Sequence, residues 1–405
     1  MPRLQPSLLR RAHRASPLLA ALLPACRDLG SARNELRWIR EHVLSSPSSS
    51  AQSGSRSRNT IARLCAARGR GLPLQYVLGS QPFGPLDIAC RAGVLIPRPE
   101  TEAWVYALAA LLRSNDAGAA GNSPRQPPTP APASPLRVVD FCSGTGCVAL
   151  LLAALLQARP HGPHDGGARI RGFDIEPRAV ALARHNLARN ADRVCPSRPG
   201  GSGGTHGVVA FERADVFAED WLDFLRRDAR EDGDGDGDRE PRIDVLVSNP
   251  PYISARGFDR DTGRSVRNHE PRLALVPDPA LMMGLTGDGK YDCAPEDVFY
   301  ARLLRIAQQT RAGIVVFEVG DLAQAARVVG LALAVGTAKT APEGGSGGWD
   351  ATSVEIWRDW PDMQPDAHEA QTVRVAGCEI TVKGSGHGRV VVLRRGVWDT
   401  SGARG

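Results

Sequence analysis

No Asp or Glu occurs in the first 27 residues. That stretch instead carries Arg3, Arg10, Arg11, Arg14 and Arg27, with Leu4, Leu8, Leu9, Leu18 and Leu19 between them. An acid-free, Arg-rich, amphipathic start has the character of a mitochondrial presequence. The same residues also read as the first helix of an N-terminal domain; the presequence reading is preferred. No apolar run is long enough to span a bilayer as a helix, so no membrane partner is expected. The eight cysteines (Cys26, Cys65, Cys90, Cys142, Cys147, Cys195, Cys293 and Cys378) contain no C-x-x-C pair, and no signal peptide is read before them. This disfavours zinc and disulfide frameworks and points to free thiols. Aromatic residues make up only 5% of the chain, and no dense basic stripe interleaves with them. A nucleic-acid groove is therefore disfavoured. The net charge of +6 permits contact with RNA without demanding it.

What is present is the composition of a packed protein, with 42% hydrophobic and 23% charged residues over 405 positions. That length exceeds what one core usually serves, so two domains plus loose insertions are expected. Residues 30–45 have helical spacing at Glu35, Trp38, Ile39 and Val43, and a second helix is predicted over about 59–68. Residues 1–72 thus form a small helical domain. Turn residues between short apolar runs predict a hairpin within 73–102, linking this domain to the next. The string Pro97-Arg98-Pro99-Glu100-Thr101-Glu102 leads into a helix, with Thr101 as its expected cap.

Residues 103–405 form the second domain. Strands are predicted at 136–140, 170–174, 208–213, 243–248 and 313–319, alternating with helices at 147–158, 177–190 and about 296–310. This alternation argues for an α/β fold with a parallel sheet covered on both faces. Low-complexity segments at 114–135, 195–207 and 229–241 fall between elements and read as surface loops. The last begins like a calcium loop at Asp232-Gly233-Asp234, but Ile243 stands where a bidentate Glu is required, so no metal is assigned.

Three sites carry chemistry. Asp140-Phe141-Cys142-Ser143-Gly144-Thr145-Gly146 follows a buried strand, where glycines let the backbone approach a ligand at a helix N-terminus. The third glycine of a dinucleotide fingerprint is absent, since Ala149 and Leu150 follow. Asp140, four positions before the first glycine, suits a ligand bearing an amine and a cation, as the methionine moiety of S-adenosylmethionine does. Asp174 ends the next strand, where a carboxylate can accept ribose hydroxyls. It lies beyond the roughly 20-residue spacing usual for that role, and a loop insertion at 159–168 accounts for the excess. Asp215 is a similar candidate for the adenine amine. The third site, Asn249-Pro250-Pro251-Tyr252, closes the fourth strand. Consecutive prolines fix a rigid loop there. The Asn249 side-chain oxygen and the Pro250 carbonyl can both accept from one NH2 group, and Tyr252 can lie against the flat group that carries it. The remaining work is positioning for in-line displacement, which requires no metal.

Together these residues resemble the HemK/PrmC family of release factor glutamine methyltransferases, over roughly residues 30–325. The resemblance includes Pro73, Gln75, Tyr76, Gly79 and Phe83, then Leu95 to Glu102, the Asp140–Gly146 turn, Asp174-Ile175 and Asn249–Tyr252. It continues through Glu270–Leu275, Asp288-Gly289, Phe317–Gly320 and Gln324. It implies a Rossmann-like class I S-adenosylmethionine-dependent methyltransferase sheet, with a small N-terminal helical domain that holds the protein substrate and a linking β-hairpin. It also implies the glutamine of a Gly-Gly-Gln loop in a class 1 peptide chain release factor as substrate. Carried over, Asp140, Cys142, Ser143, Gly144, Thr145, Gly146, Asp174, Asp215, Val216 and Asn249 bind the cofactor, and Asn249–Tyr252 bind the glutamine. Val216 stands where family members often have a stacking aromatic, and Cys142 where glycine is common. The tail after 356 has no counterpart in compact bacterial members, and segments 357–360 and 390–395 are read as added strands. Keeping the N-terminal domain behind an acid-free start resembles a eukaryotic, fungal-like mitochondrial form in the matrix, with the cytoplasm as the alternative. Two competing readings are an adenine amine methyltransferase on DNA or RNA, which needs the same two acceptors, and a noncatalytic binding protein for a release factor or the ribosome.

Overall fold

The computed structural model describes residues 3–45, 54–118, 135–156, 167–195, 208–232, 241–281, 293–337, 349 and 351–395. Asp288-Gly289 and most of the three low-complexity segments lie outside the described residues. The chain divides into two compact units. One comprises Met1–Gln81, Ala89–Ile96 and Asp259–Pro271, and the other Pro82–Ile88, Pro97–Phe258 and Arg272–Gly405.

The first unit is helical. Its start forms α1 (Pro6–Ala15) and α2 (Pro17–Cys26), and each has proline in its first turn, where no N–H is missed. Ser16 caps α2 by accepting from the Leu18 N–H at 3.2 Å. α3 (Leu29–Ser45) and α4 (Gly54–Gly69) follow. Ala12, Leu19, Leu22 and Leu23 of the first two helices are buried with Leu36, Ile39, Val43, Ile61 and Cys65. α2 and α4 meet at backbone distance, since a Cβ on Gly69 would stand 1.9 Å from the Ala21 carbonyl oxygen. Residues with presequence character thus form part of this unit's core. A two-bond ion pair, Arg68 to Glu35 at 2.8 and 2.9 Å, is enclosed beside it. α5 (Leu74–Leu78) carries Tyr76, which donates to the Val94 carbonyl at 2.8 Å. Glu270 is buried and accepts from the Ile96 N–H at 3.1 Å. A hairpin lies within 73–102, and most of it belongs to the other unit. It consists of β1 (Ser80–Phe83) and β2 (Leu86–Ala89).

The second unit is a sheet covered on both faces. α6 (Pro99–Gly118) precedes β3 (Leu136–Phe141), α7 (Cys147–Leu156), β4 (Ala168–Asp174), α8 (Pro177–Arg189), β5 (Val208–Arg213), β6 (Val245–Ser248) and β7 (Ile314–Glu318). The tail adds β8 (Val354–Trp360), β9 (Thr372–Val375), β10 (Cys378–Lys383) and β11 (Ser385–Arg394). The strand order is β5-β4-β3-β6-β7-β11-β8-β10-β9. β3 to β7 pair in parallel, whereas β11 runs antiparallel to both β7 and β8. With the β9–β10 hairpin set aside, this is the class I methyltransferase sheet, whose last strand slots between the two before it. The tail therefore completes the sheet, and only β9–β10 is added to its edge.

Side chains alternate across the sheet as strand geometry requires. On β7, Ile314 and Val316 face the cluster containing Trp104, Leu108 and Leu151, while Val315 and Phe317 face the cluster containing Trp221, Tyr300 and Leu304. The segment from 229 is not all loop: a helix spans Asp220–Glu231. Its end ties to the sheet through Arg169, which donates to Asp228 at 3.1 Å and to Asp232 at 2.7 Å. Asp232, the first acid of the run that begins like a calcium loop, thereby serves as an ion-pair partner.

Candidate active site

The carboxyl ends of the parallel strands carry the residues singled out in the sequence. After β3 the backbone turns sharply, with positive φ at Cys142 (61°), Gly144 (55°) and Gly146 (78°). The turn is pinned by backbone bonds from Ser143 N–H to Phe173 O (3.0 Å) and from Gly146 N–H to Ser143 O (2.7 Å). A Cβ on Gly146 would come within 2.7 Å of the Phe211 ring, so glycine is needed for packing as well as for φ. At Gly144 the space beyond the α-carbon is open. Asp140 is 1% exposed. One of its oxygens accepts from the Ala149 N–H in the first turn of α7, and its Oδ2 is buried without a partner among the described residues. Burial first, and the charge of Asp174 next, push its carboxyl well above the usual range.

Asp174 accepts from the Gly144 N–H through Oδ2 and the Glu176 N–H through Oδ1, both at 2.9 Å. Each oxygen keeps a second lone pair for a ligand. Asp215 accepts from the Phe217 N–H at 2.9 Å. Val216 is buried in the core, and its carbonyl accepts from Arg302 at 2.7 Å. The Cys142 thiol is pushed far up, first by burial and then by the charge of Asp174, with smaller contributions from Asp140 and Asp215. Three carboxylates thus share one neighbourhood. An unpartnered buried acceptor, an open glycine turn and carboxylates at two further strand ends fit a ligand with an ammonium, a sulfonium and a ribose.

Asn249 follows β6, whose last residue Ser248 donates to the Phe141 carbonyl at 2.7 Å and so joins the two loops. Pro250 and Pro251 are buried, while Asn249 and Tyr252 are half-buried. The described hydrogen bonds engage neither the Asn249 side-chain oxygen nor the Pro250 carbonyl, so both acceptors are open. The Tyr252 carbonyl accepts from Gln324 Nε2 at 3.1 Å, and that nitrogen also donates to Asp297 at 2.8 Å. Gln324 Oε1 accepts from the Gly320 N–H at 2.8 Å. Gln324 thus latches the proline loop to the end of β7.

Several residues of this region had no role assigned from the sequence. Glu318, 1% exposed, accepts from Thr101 Oγ1 at 2.6 Å, Trp104 Nε1 at 2.8 Å and the Tyr252 hydroxyl at 3.4 Å. Thr101 is not a cap: α6 already begins at Pro99, and the Thr101 side chain points to β7 instead. Arg389, on β11, donates to Asp359 at 2.7 Å and to the Val319 and Gly320 carbonyls at 3.2 Å each. Glu318 and Gln324 lay in quoted motifs, but only the folded sheet shows what they touch.

No protein-family model matches the chain. It is 36% identical over 276 residues to the mitochondrial MRF1 N(5)-glutamine methyltransferase MTQ1 of Saccharomyces cerevisiae, an alignment covering 68% of each chain. It is 34% identical over 266 residues to the probable MRF1 mitochondrial N(5)-glutamine methyltransferase of Schizosaccharomyces pombe, covering 65% of this chain and 70% of that protein. It is 32% identical over 265 residues to the release factor glutamine methyltransferase of Mycolicibacterium smegmatis, covering 65% of this chain and 68% of that protein.

Proposed function

The chain belongs to the family of release factor glutamine methyltransferases, and from that premise we propose that it methylates the side-chain amide nitrogen of the glutamine in the Gly-Gly-Gln motif of a class 1 peptide chain release factor, in the mitochondrial matrix. S-adenosylmethionine supplies an electrophilic methyl group on a sulfonium. Asp140, with its unpartnered oxygen, holds the ammonium of that ligand. The Cys142–Gly146 turn, Asp174, Asp215 and Val216 enclose the rest.

The observation that carries the reading is the pair of open acceptors, Asn249 Oδ1 and the Pro250 carbonyl, on a loop that two buried prolines make rigid. An amide nitrogen is a poor nucleophile because its lone pair is delocalised. Two acceptors on its hydrogens favour a pyramidal nitrogen and aim it, and this positioning is worth most where water is excluded. Tyr252, fixed by Gln324 and Glu318, lies against the flat amide. The helical unit formed by residues 1–72 with their later additions holds the release factor.

The test is transfer of label from S-adenosylmethionine to a mitochondrial release factor, its Gln→Ala variant, or DNA. Label in the normal factor alone is expected. Label in DNA identifies an amine methyltransferase on nucleic acid, and binding of the factor without transfer identifies a noncatalytic protein; either overturns the proposal.

A further inference from the structure

An amide side chain has two ends of nearly equal size, so packing alone does not choose between them. Asn249 must present oxygen, not NH2, to the amine it is to orient. Its surroundings supply the choice through a chain of hydrogen bonds that begins at Glu318. A carboxylate accepts only, and Glu318 Oε2 takes the single hydroxyl proton of Thr101 at 2.6 Å, together with the Trp104 N–H at 2.8 Å. With its proton committed, Thr101 meets Asn249 only as an acceptor. The Asn249 Nδ2 stands 3.5 Å from Thr101 Oγ1. Asn249 Oδ1 is therefore turned away from Thr101 and left open.

We infer that Thr101, held by Glu318, sets the orientation of the Asn249 amide and is a positioning residue for the transfer, a conclusion that rests on the proposed function. The pattern is more than packing. Placing a carboxylate in the interior is costly unless donors surround it. An apolar side chain would fill the same volume next to Trp104 without that cost. Burial pushes the Glu318 carboxyl up, opposed by the Thr101 and Trp104 donors and by the Arg389 charge, and the buried group gains meaning from what it does to Thr101, whose proton it fixes in direction. Were the Asn249 amide reversed, its N–H would face the N–H of the substrate, and the acceptor that orients the nucleophile would be lost.

Three variants and one competitor test this. Thr101→Val keeps the shape and removes the hydroxyl, Thr101→Ala removes it without overpacking, and Thr101→Ser keeps it. Single-turnover and steady-state transfer to the release factor are measured, along with binding of S-adenosylmethionine by calorimetry. For Thr101→Val and Thr101→Ala, kcat falls by about tenfold or more, the scale of one lost orienting hydrogen bond, while KM for the factor and Kd for S-adenosylmethionine stay within about twofold. Thr101→Ser restores kcat. A release factor carrying Gln→Glu should also compete better against Thr101→Val than against the unaltered enzyme, since a freed amide can turn its NH2 toward a carboxylate. Unchanged kcat in the variants lacking the hydroxyl, failure of serine to rescue, or equal competition by the Gln→Glu factor each overturns the inference alone. Absence of transfer by the unaltered enzyme overturns the proposed function and this inference with it.

Discussion

Asp140 shows how far one residue's environment can oppose stability for the sake of a ligand. Its carboxyl is held well above the usual range, first by burial and then by Asp174. A raised folded-state value means the native protein holds its proton to higher pH than the unfolded chain does. Stability from this group is thus full below the ordinary aspartate value of about 3.9 and is lost as pH rises through the folded value. Above the ordinary aspartate value the free protein bears a cost, that of keeping this proton or of burying the charge. Asp140→Asn keeps an acceptor for the Ala149 N–H and removes the charge. It is expected to raise the melting temperature of the ligand-free protein by roughly 2 °C or more, the scale on which about 1 kcal/mol registers in domains of 150–250 residues. Calorimetry should show binding of S-adenosylmethionine lost in the same variant. In the unaltered protein, affinity should weaken as pH falls, at values above the ordinary aspartate range, because the carboxylate that holds the ammonium is taking up its proton. Cys142 makes a complementary case. Its φ of 61° places a Cβ in the left-handed region, which costs about 1–2 kcal/mol. Cys142→Gly relieves that strain but adds glycine's unfolded-state entropy, so a net stabilisation of at most about 1 kcal/mol is expected by urea denaturation.

At the scale of elements, the α/β half was legible because its signals are local. Each parallel strand is a short apolar run, with β4 and β6 ending at Asp174 and Ser248, and α7 begins directly after Gly146 while α8 begins at Pro177. The predicted strand 208–213 coincides with β5, and 136–140 falls one residue short of β3. The candidate residues of four loops were legible for the same reason, since ligand-facing loops follow strands. What was not legible depends on partners distant in sequence. Thr101 looks like a cap, because capping threonines and interior donors are the same residue type until Glu318 is brought beside one of them. α1 and α2 look like a presequence, because an acid-free stretch with Arg on α1 and Leu on both helices serves import and packing alike. The burial of Leu22 and Leu23 at 0% exposure decides what these helices do in the folded unit. Leu22→Ala is expected to destabilise the helical unit by about 2–5 kcal/mol, and deletion of residues 1–26 should abolish its cooperative melting, read by circular dichroism. A deletion variant that melts as the full chain does would assign α1 and α2 to import alone. Glu35→Ala leaves the enclosed Arg68 charge without its two-bond partner, at a cost of about 3–5 kcal/mol.

At the scale of the whole molecule, the proposed catalytic loops hang from five consecutive parallel strands, yet the sheet that holds those strands is closed by the last one made. β11 lies between β7 and β8, not at an edge, and Val390, Val391, Val392 and Leu393 are each 0% exposed. Until residue 394 is in place, β7 presents an unpaired edge, and β8 with its β9–β10 hairpin has no route into the sheet. β11 also carries Arg389, whose bonds to the Val319 and Gly320 carbonyls and to Asp359 brace the segment that Gln324 ties to Tyr252. A chain ending at Lys383 therefore loses a central strand and the brace together. It is expected to collect in the insoluble fraction, as exposed edges pair between molecules, whereas a chain ending at Arg395 should remain soluble and bind S-adenosylmethionine. Arg389→Met separates the two contributions. It keeps β11 and an unbranched apolar stem but removes every donor. The sheet should then still fold, with kcat lowered several-fold and binding of S-adenosylmethionine unchanged. If Arg389→Met instead matched the chain ending at Lys383 in solubility, the arginine would belong to the sheet's assembly and not to the bracing of the acceptor loop.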